Sequence, residues 1–391
     1  MNLTSQLAQT IVDRTMEILG LNINIMNEKG IIIGSGNPRR LNTLHEGAKE
    51  VIEKGKILKI SEQEAKYLKG VKPGINLPIY FNGQIIGVVG ITGDPEEVEK
   101  YGGLVKMAVE LMLKQVFYLE RVQLEEQAEE QFIKEILSKN KDISESVMQS
   151  RAKAMGFNFE QPYLIFVLEV INLWDELLKD PQKKTNMKLQ QYKKEIKFEI
   201  QDFFYGRTKT KVFHLDGEKF VILMYEDKKE KWRETNFLKI GKNLVQILSN
   251  KFDLKCKIGI GSIQQNLGGI VKSFEEAMEA LNLGKRFYPQ KEVYHIEKLI
   301  IERMVKDLSR DVRIKLASKF PLEQQLQQSL EIYFSTNLNI SQTARKLFIH
   351  RNSVVYRLKQ IKKITGLDPT EFEDAIQLKM ALLCYKFEKK K

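Results

Sequence analysis

Apolar residues recur along this chain with two periods, and the alternation between them marks out its elements. Leu3, Leu7, Ile11, Ile18 and Leu19 share one side of a 3.6-residue period, which predicts a helix over the first 20 residues. INIMN, the turn Glu28-Lys29-Gly30 and IIIGSG then predict a pair of strands. Helical spacing returns over residues 41–54 and briefly over 62–68. Residues 73–93 carry no charge and are long enough to cross a bilayer. Against a span, Ile75, Leu77, Ile79 and Phe81 alternate with period two before Asn82-Gly83, and that pair suits a type I′ turn because both positions need positive φ. The segment is predicted to be a β-hairpin.

From residue 103 to 137 the pattern becomes one long helix. Val105, Val109, Met112, Val116 and Leu119 repeat at spacings of four and three, a face suited either to a second helix or to the helix's own domain. A second block starts near Pro162. PYLIFVLEV, KVFHLDGEKFVILMYE (a hairpin about Asp216-Gly217), KCKIGIGS and EVYHI predict strands. Helices are predicted at 188–205, 232–251 and SFEEAMEALNLGKRF, while the Lys- and Gln-rich residues 176–195 read as solvated. From Pro321 onward the pattern is entirely helical. The expectation is a multidomain α+β chain: sensor domain 1–137 ending in the long helix, middle domain 138–305, helical domain 321–391.

Length agrees, since 391 residues exceed one ordinary domain, and 42% hydrophobic with 29% charged residues is globular composition. Lys and Arg number 63 against 51 Asp and Glu, a net charge of +12, so a polyanionic partner merits a search. Cys256 and Cys384 stand alone, without spaced His or Cys, which argues against a disulfide framework or a zinc site. The first residues lack a cationic segment followed by an apolar run, so a reducing cytoplasm is expected. His45, His214, His295 and His350 have no metal spacing, and neither a P-loop nor a Gly-x-Ser-x-Gly element occurs. GIGS at 259–262 reads as a close-packed strand end rather than a nucleotide loop.

The strongest motif is NLNISQTARKLFIHRNSVVYRLKQIKKITGL, residues 337–367. Asn339 and Gln342 suit a capping box, and Ile340, Ala344, Leu347 and Phe348 form one apolar face of a short helix. After a break at Ile349-His350 a second helix carries Val354, Leu358 and Ile361 inward. Asn352, Tyr356, Lys359 and Lys363 fall on its opposite face. This is helix-turn-helix geometry, in which the second helix enters the DNA major groove. Residues 339–391 hold 12 Lys and Arg against 5 Asp and Glu, so much of the excess charge lies here. The alternative is a structural helical hairpin with a solvated basic face.

IHRNSVVYRLKQIKKITGL closely resembles the C-terminal helix-turn-helix of the purine-catabolism-regulator type, with Ser353 where threonine is usual. The whole chain resembles the carbohydrate (sugar) diacid regulators. SQLAQTIVDRTMEILGLNINIMNEKGIIIGSG, RLNTLHEGA and GVKPGINLPIYFNGQIIGVVGITG are similar to that family's diacid-recognition domain. The resemblance implies a PAS-like sensor, a degenerate GGDEF-like middle domain, and DNA contacts from His350, Arg351, Asn352, Ser353, Tyr356, Arg357, Lys359 and Lys363. In the middle hairpin, Leu215-Asp216-Gly217-Glu218-Lys219-Phe220 replaces the Gly-Gly-Asp/Glu-Glu-Phe signature of a diguanylate cyclase, so Asp216 and Glu218 are expected to be exposed turn acids.

In the sensor, Gly34-Ser35-Gly36-Asn37 leads into Pro38-Arg39-Arg40 and a helix start near Thr43-Leu44. Arginines beside free backbone N–H groups suit a carboxylate, although a solvated basic loop has the same composition. With the resemblance, Ser35, Arg39, Arg40, His45, Glu46, Gly47, Lys72, Pro73, Gly74 and Asn76 become the expected ligand set. The implied function is a cytoplasmic transcriptional activator. It would bind a double-stranded DNA operator, need neither metal nor cofactor, and answer to a small organic acid such as glycerate, glucarate or galactarate. A homodimer or higher homo-oligomer is expected. The competing class is a nucleotide-binding or cyclic-dinucleotide enzyme with an appended DNA-binding module.

Overall fold

The computed structural model describes residues 3–138, 145–158, 160–173, 186–206, 209–215, 217–225, 236–318 and 320–389. It divides into two compact units, residues 1–128 and 129–391.

The first unit contains α1 (Ser5–Leu19), β1 (Ile23–Asn27), β2 (Ile32–Ser35), α2 (Glu46–Lys54), β3 (Leu58–Ile60), α3 (Glu62–Ala65), β4 (Gly74–Phe81), β5 (Gln84–Thr92) and most of α4 (Pro95–Leu137). Thr4 caps α1 by accepting from the Leu7 N–H, and Gly20 ends it in the left-handed region. The five strands form an antiparallel sheet in the order β2-β1-β5-β4-β3. Asn82 and Gly83 have φ of 49° and 80°, so the hairpin turns as its Asn-Gly step predicts. Ile23, Ile25, Ile75, Leu77, Ile79, Val89 and Ile91 face α1 and the α4 residues Val98, Val105, Val109 and Leu113. Met26, Ile32 and Val88 face Ala48 and Val51 of α2. Both sides of the sheet are therefore covered.

Two predicted boundaries move. The helix expected over 41–54 begins only at Glu46, because residues 38–40 form a 3-10 turn and Asn42 takes φ of 61°. The long helix begins eight residues before 103, with Pro95 at its start and Asp94 Oδ1 accepting from the Glu96 N–H at 2.9 Å. Gly102 is a helical residue whose lack of a side chain permits close packing: a Cβ there would lie 2.7 Å from Ile75 Cδ1. Of the expected seam on this helix, Val105 and Val109 are buried against the unit's own sheet and Leu119 is exposed. A different stripe faces solvent, formed by Leu104, Met107, Leu111, Tyr118 and Val122.

The second unit holds the end of α4, α5 (Glu145–Ala154), β6 (Tyr163–Val170), α6 (Asn186–Phe204), β7 (Lys209–His214), β8 (Lys219–Tyr225), α7 (Phe237–Phe252), β9 (Cys256–Ile260), α8 (Asn266–Phe287) and β10 (Val293–His295). Helices α9 (Ile300–Asp307), α10 (Arg310–Ser318), α11 (Gln324–Ser335), α12 (Ile340–Leu347), α13 (Arg351–Thr365) and α14 (Phe372–Lys389) follow. The sheet order is β10-β9-β6-β8-β7, with β10 parallel to β9 and the other pairs antiparallel. Alternation along β6 sends Ile165 and Val167 toward α8 and Leu164, Phe166 and Leu168 toward α6 and α7. Helix α8 lies directly on β9, where a Cβ on Gly259 would meet the Ala277 carbonyl at 2.0 Å and one on Gly261 the Ser273 carbonyl at 2.1 Å. GIGS is thus a close-packed strand end, as its reading predicts. The solvated stretch expected at 176–195 lies outside the described residues up to 185, and from 186 it is part of α6.

Gly259→Ala has no flexible side chain to displace, because the clash is with backbone. It should lower unfolding free energy by about 3 kcal/mol, at the upper end of ordinary overpacking costs, as read from urea denaturation. Gly103→Ala, with open space at its Cβ, should stabilise by a few tenths to about 1 kcal/mol.

Candidate functional site

The DNA-facing module is built around α12 and α13. Asn339 caps α12 by accepting from the Gln342 N–H at 2.9 Å, the forward half of the predicted box, while its own N–H donates to Thr336 O. His350 caps α13, its Nδ1 accepting from the Asn352 N–H at 3.2 Å. Val354, Leu358 and Ile361 are buried against Leu326, Leu330 and Tyr333 of α11 and Leu378, Ala381 and Leu382 of α14. With that stripe inward, Arg351, Asn352, Ser353, Tyr356, Lys359 and Lys363 are exposed. Arg357 is different: it is half-buried, and its guanidinium donates to the buried Ser329 hydroxyl at 2.9 Å. Phe348, expected in the apolar face of α12, is 95% exposed with φ of 56°. It occupies the position after the last helical residue, where the chain reverses out of α12 and the side chain is carried off the helix face.

The sensor residues divide into an open cleft and a buried polar layer. Arg39, Arg40 and Lys72 line a cleft of about 490 Å³ with Asn37, Thr43 and the 69–71 backbone. Asn37 accepts from the Arg39 N–H, so the 3-10 turn carrying both arginines has its own cap. Arg40 donates to the Gly70 carbonyl at 2.6 Å, and burial holds its pKa below the usual guanidinium value. Glu46 accepts from the Lys69 N–H at 2.8 Å, which ties the start of α2 to the same segment. Gly70, at φ of 73°, passes so close to the Leu44 carbonyl that a Cβ would lie 2.2 Å from it.

His45, Ser35 and Asn76 are buried rather than in the open cleft. His45 was expected inside the helix and instead caps it, Nδ1 accepting from the Ala48 N–H at 3.2 Å. Burial first, and the Arg40 charge second, push its pKa down to about 4, so the ring is neutral at pH 7 and Nε2 carries the hydrogen. The strand pairings set Ser35 beside Asn24, Asn24 beside Gly90 and Gly90 beside Asn76, one row across four strands. Ser35 Oγ donates to Asn24 Oδ1 at 2.6 Å. Asn76 Oδ1 occupies the space over Gly90, 2.7 Å from where a Cβ would be. Gly74 cannot carry a side chain, since its Cβ would meet Ile91 O at 2.0 Å, and Pro73 O accepts from the Gly93 N–H. Gly47 packs on Ile60 and the His45 ring. Sequence reading missed Asn24, Lys69, Gly70 and Val71. Asn24 was legible only through strand register, and the other three only through the return of the chain beside Arg40.

In the middle block, Glu218 lies in the turn before β8 and Asp216 falls outside the described residues. Among the described residues no three His, Cys, Asp or Glu side chains converge in a way that could hold a metal ion. No described helix is long and apolar enough to cross a membrane.

A capped short helix, a tight turn and a second helix with a polar, basic outer face define a helix-turn-helix DNA-binding protein, here joined to a GGDEF-like αβ domain and a further αβ domain. Family models match in the same order: sugar diacid recognition at residues 3–136, a GGDEF-like domain at 140–283 and the PucR C-terminal helix-turn-helix domain at 326–384. The chain is 29% identical over 393 residues to the carbohydrate diacid regulator of Escherichia coli, covering 97% of each chain. It is 30% identical over 391 residues to an uncharacterized protein of Haemophilus influenzae, covering 98% of this chain and 99% of the other. The purine catabolism regulatory protein of Bacillus subtilis is 30% identical over 143 residues, 34% of this chain and 27% of that one. The chain belongs to the carbohydrate diacid regulator family of transcriptional regulators.

The depressed His45 pKa has a measurable consequence. The unfolded ring binds its proton near pH 6.5 and the folded ring only near 4, so stability present above pH 6.5 is lost as pH falls through this window. The loss attributable to His45 should be on the order of 3 kcal/mol. His45→Asn keeps a capping acceptor but cannot titrate, so its urea-unfolding free energy should decline less steeply than wild type between pH 6.5 and 4.

Proposed function

We propose that this chain is a ligand-responsive transcriptional activator of the cytoplasm whose 1–137 domain senses a small hydroxy-acid or sugar diacid such as glycerate, glucarate or galactarate. The observation that carries the reading is the partly desolvated Arg40 beside Arg39 and Lys72, in a cleft adjoining the neutral, buried His45. A short acid has almost no apolar area, so its affinity must come from charge-assisted bonds. The arginines and Lys72 suit its carboxylates. The neutral His45 Nε2–H and the Ser35 and Asn76 side chains suit its hydroxyls. Glu46, Gly47, Pro73 and Gly74 shape the site, through the Glu46 bond to Lys69 and the close approaches at both glycines.

We read this domain as PAS-like, a reading that the strand order β2-β1-β5-β4-β3 supports. The middle domain, 138–305, is given a transmitting role without catalysis, and 321–391 the DNA-binding role. The exposed stripe Leu104, Met107, Leu111, Tyr118 and Val122 favours pairing of α4 with its copy in a homodimer. Ligand that prefers one arrangement of the sensor then shifts the population of helix arrangements offered to DNA. On DNA, His350, Arg351, Asn352, Ser353 and Tyr356 face bases, Lys359 and Lys363 face phosphates, and Arg357 braces α13 on α11.

Thermal denaturation of the full chain with each acid tests the sensor. A cognate acid at about 100 times its Kd adds roughly 2.7 kcal/mol. Arg40→Ala and His45→Ala should abolish that gain and leave DNA affinity without ligand unchanged. If both variants and Arg39→Ala bind the acid normally by calorimetry, the site assignment fails.

On DNA, Arg351→Ala and Asn352→Ala should relax base preference at a cost of about 1–3 kcal/mol. Lys359→Ala should weaken all duplexes alike and flatten the salt dependence. Equal, sequence-independent losses from all three would contradict these roles.

A further inference from the structure

Phe348 has no place in the fold that would account for its being phenylalanine. Its side chain is 95% exposed, and its backbone takes φ of 56°. That conformation is needed locally: the Phe348 N–H donates to Arg345 O at 3.2 Å and the Ile349 N–H to Ala344 O at 3.1 Å, which closes α12. Glycine or asparagine is the usual residue at such a helix end, because a Cβ is penalised there. A bulky aromatic side chain at this position carries both the left-handed backbone penalty and a fully hydrated apolar ring. The two closing hydrogen bonds account for the backbone conformation but not for the ring, whose exposed face is free to pack on a bound partner.

The surroundings indicate what that is. Phe348 walls an open concavity of about 570 Å³ together with Ser341, Arg345, His350 and Arg351. Arg345, Lys346 and Arg351 are all exposed, so the ring stands among cations three residues before the first residue of α13. A second protein with an apolar face would have to desolvate those charges, whereas a polyanion would pair with them. The major groove offers an apolar spot within a polyanion, the 5-methyl group of thymine, which side chains such as phenylalanine contact.

We propose that Phe348 is a specificity-determining DNA contact that packs on a thymine methyl group at the edge of the half-site read by Arg351 and Asn352. The proposal rests on the assignment of α13 as the recognition helix. Held by the αL end of α12, the ring reaches the groove wall independently of the helix that reads the adjoining base edges.

The probe is the duplex that the wild-type full chain selects from a random double-stranded pool. Each of its thymines is replaced in turn by deoxyuridine, which removes the methyl group alone. Burial of one methyl is worth about a fourfold change in affinity, so one thymine per half-site should show about that loss with wild type. Phe348→Ala should bind the parent duplex more weakly, should no longer distinguish thymine from deoxyuridine at that position, and should keep the wild-type salt slope because no charge is removed. Phe348→Leu should retain part of the discrimination. The proposal is overturned if no deoxyuridine affects wild type, or if Phe348→Ala stays equally sensitive. It is also overturned if Phe348→Ala alters self-association and leaves DNA binding unchanged. In those cases a loss of base preference in Arg351→Ala would leave the recognition-helix assignment standing. A wild-type chain that enriches no duplex at all would overturn both.

Discussion

The C-terminal helix α14 must bury two faces at once, and the placement of the DNA-binding module within its unit depends on this. Leu378, Ala381 and Leu382 fill the core shared with α11 and α13, while Leu383 and Cys384 enter the core of the αβ domain beside α8. A helix apolar on both sides cannot leave either neighbour without exposing a core surface. Phe387 reinforces the second contact. The guanidinium groups of Arg286 and Arg313 lie 3.9 and 4.7 Å from the centroid of its ring, and Arg313 also donates to Glu388 at 2.8 Å. The recognition helix is thereby referred to the middle sheet through one helix, and a change in how α8 carries α14 would reach α13 through packed side chains rather than through a flexible joint.

The first unit solves a different problem, that of burying polar groups in a largely apolar sheet. Arg40 has lost part of its hydration and has the Gly70 carbonyl as partial replacement. His45 is kept neutral by burial and by that same arginine. Groups held in this way can pair with a carboxylate at less desolvation cost than fully hydrated ones. The glycines at 70, 74 and 90 each permit a backbone or side-chain approach that a Cβ would block.

Much of this was legible in the chain. Asn82-Gly83, the alternation beside it and the two-helix pattern of residues 339–365 identified their elements because turn conformation and helical periodicity are local properties. The inward triad Val354, Leu358 and Ile361 and the exposed basic face opposite followed from the same 100° step. Where periodicity alone was used, boundaries failed for identifiable reasons. The long helix was expected to begin at 103 but starts at Pro95, and Gly102 within it lies on the sheet where a side chain would clash with Ile75. Phe348 read as core because it continued an apolar spacing, yet the helix had already ended one residue earlier.

The sequence by itself determined the order of the elements, the basic outer face of the second helix of the helix-turn-helix and the clustering of arginines after Asn37, since each depends on residues within a few positions of one another. Only the tertiary structure decided that His45 is a buried, neutral cap, that Arg357 turns inward to Ser329, and that Ser35, Asn24 and Asn76 share one row. Hydration, charge state and strand register are set by segments far apart in the chain, and no local pattern encodes them.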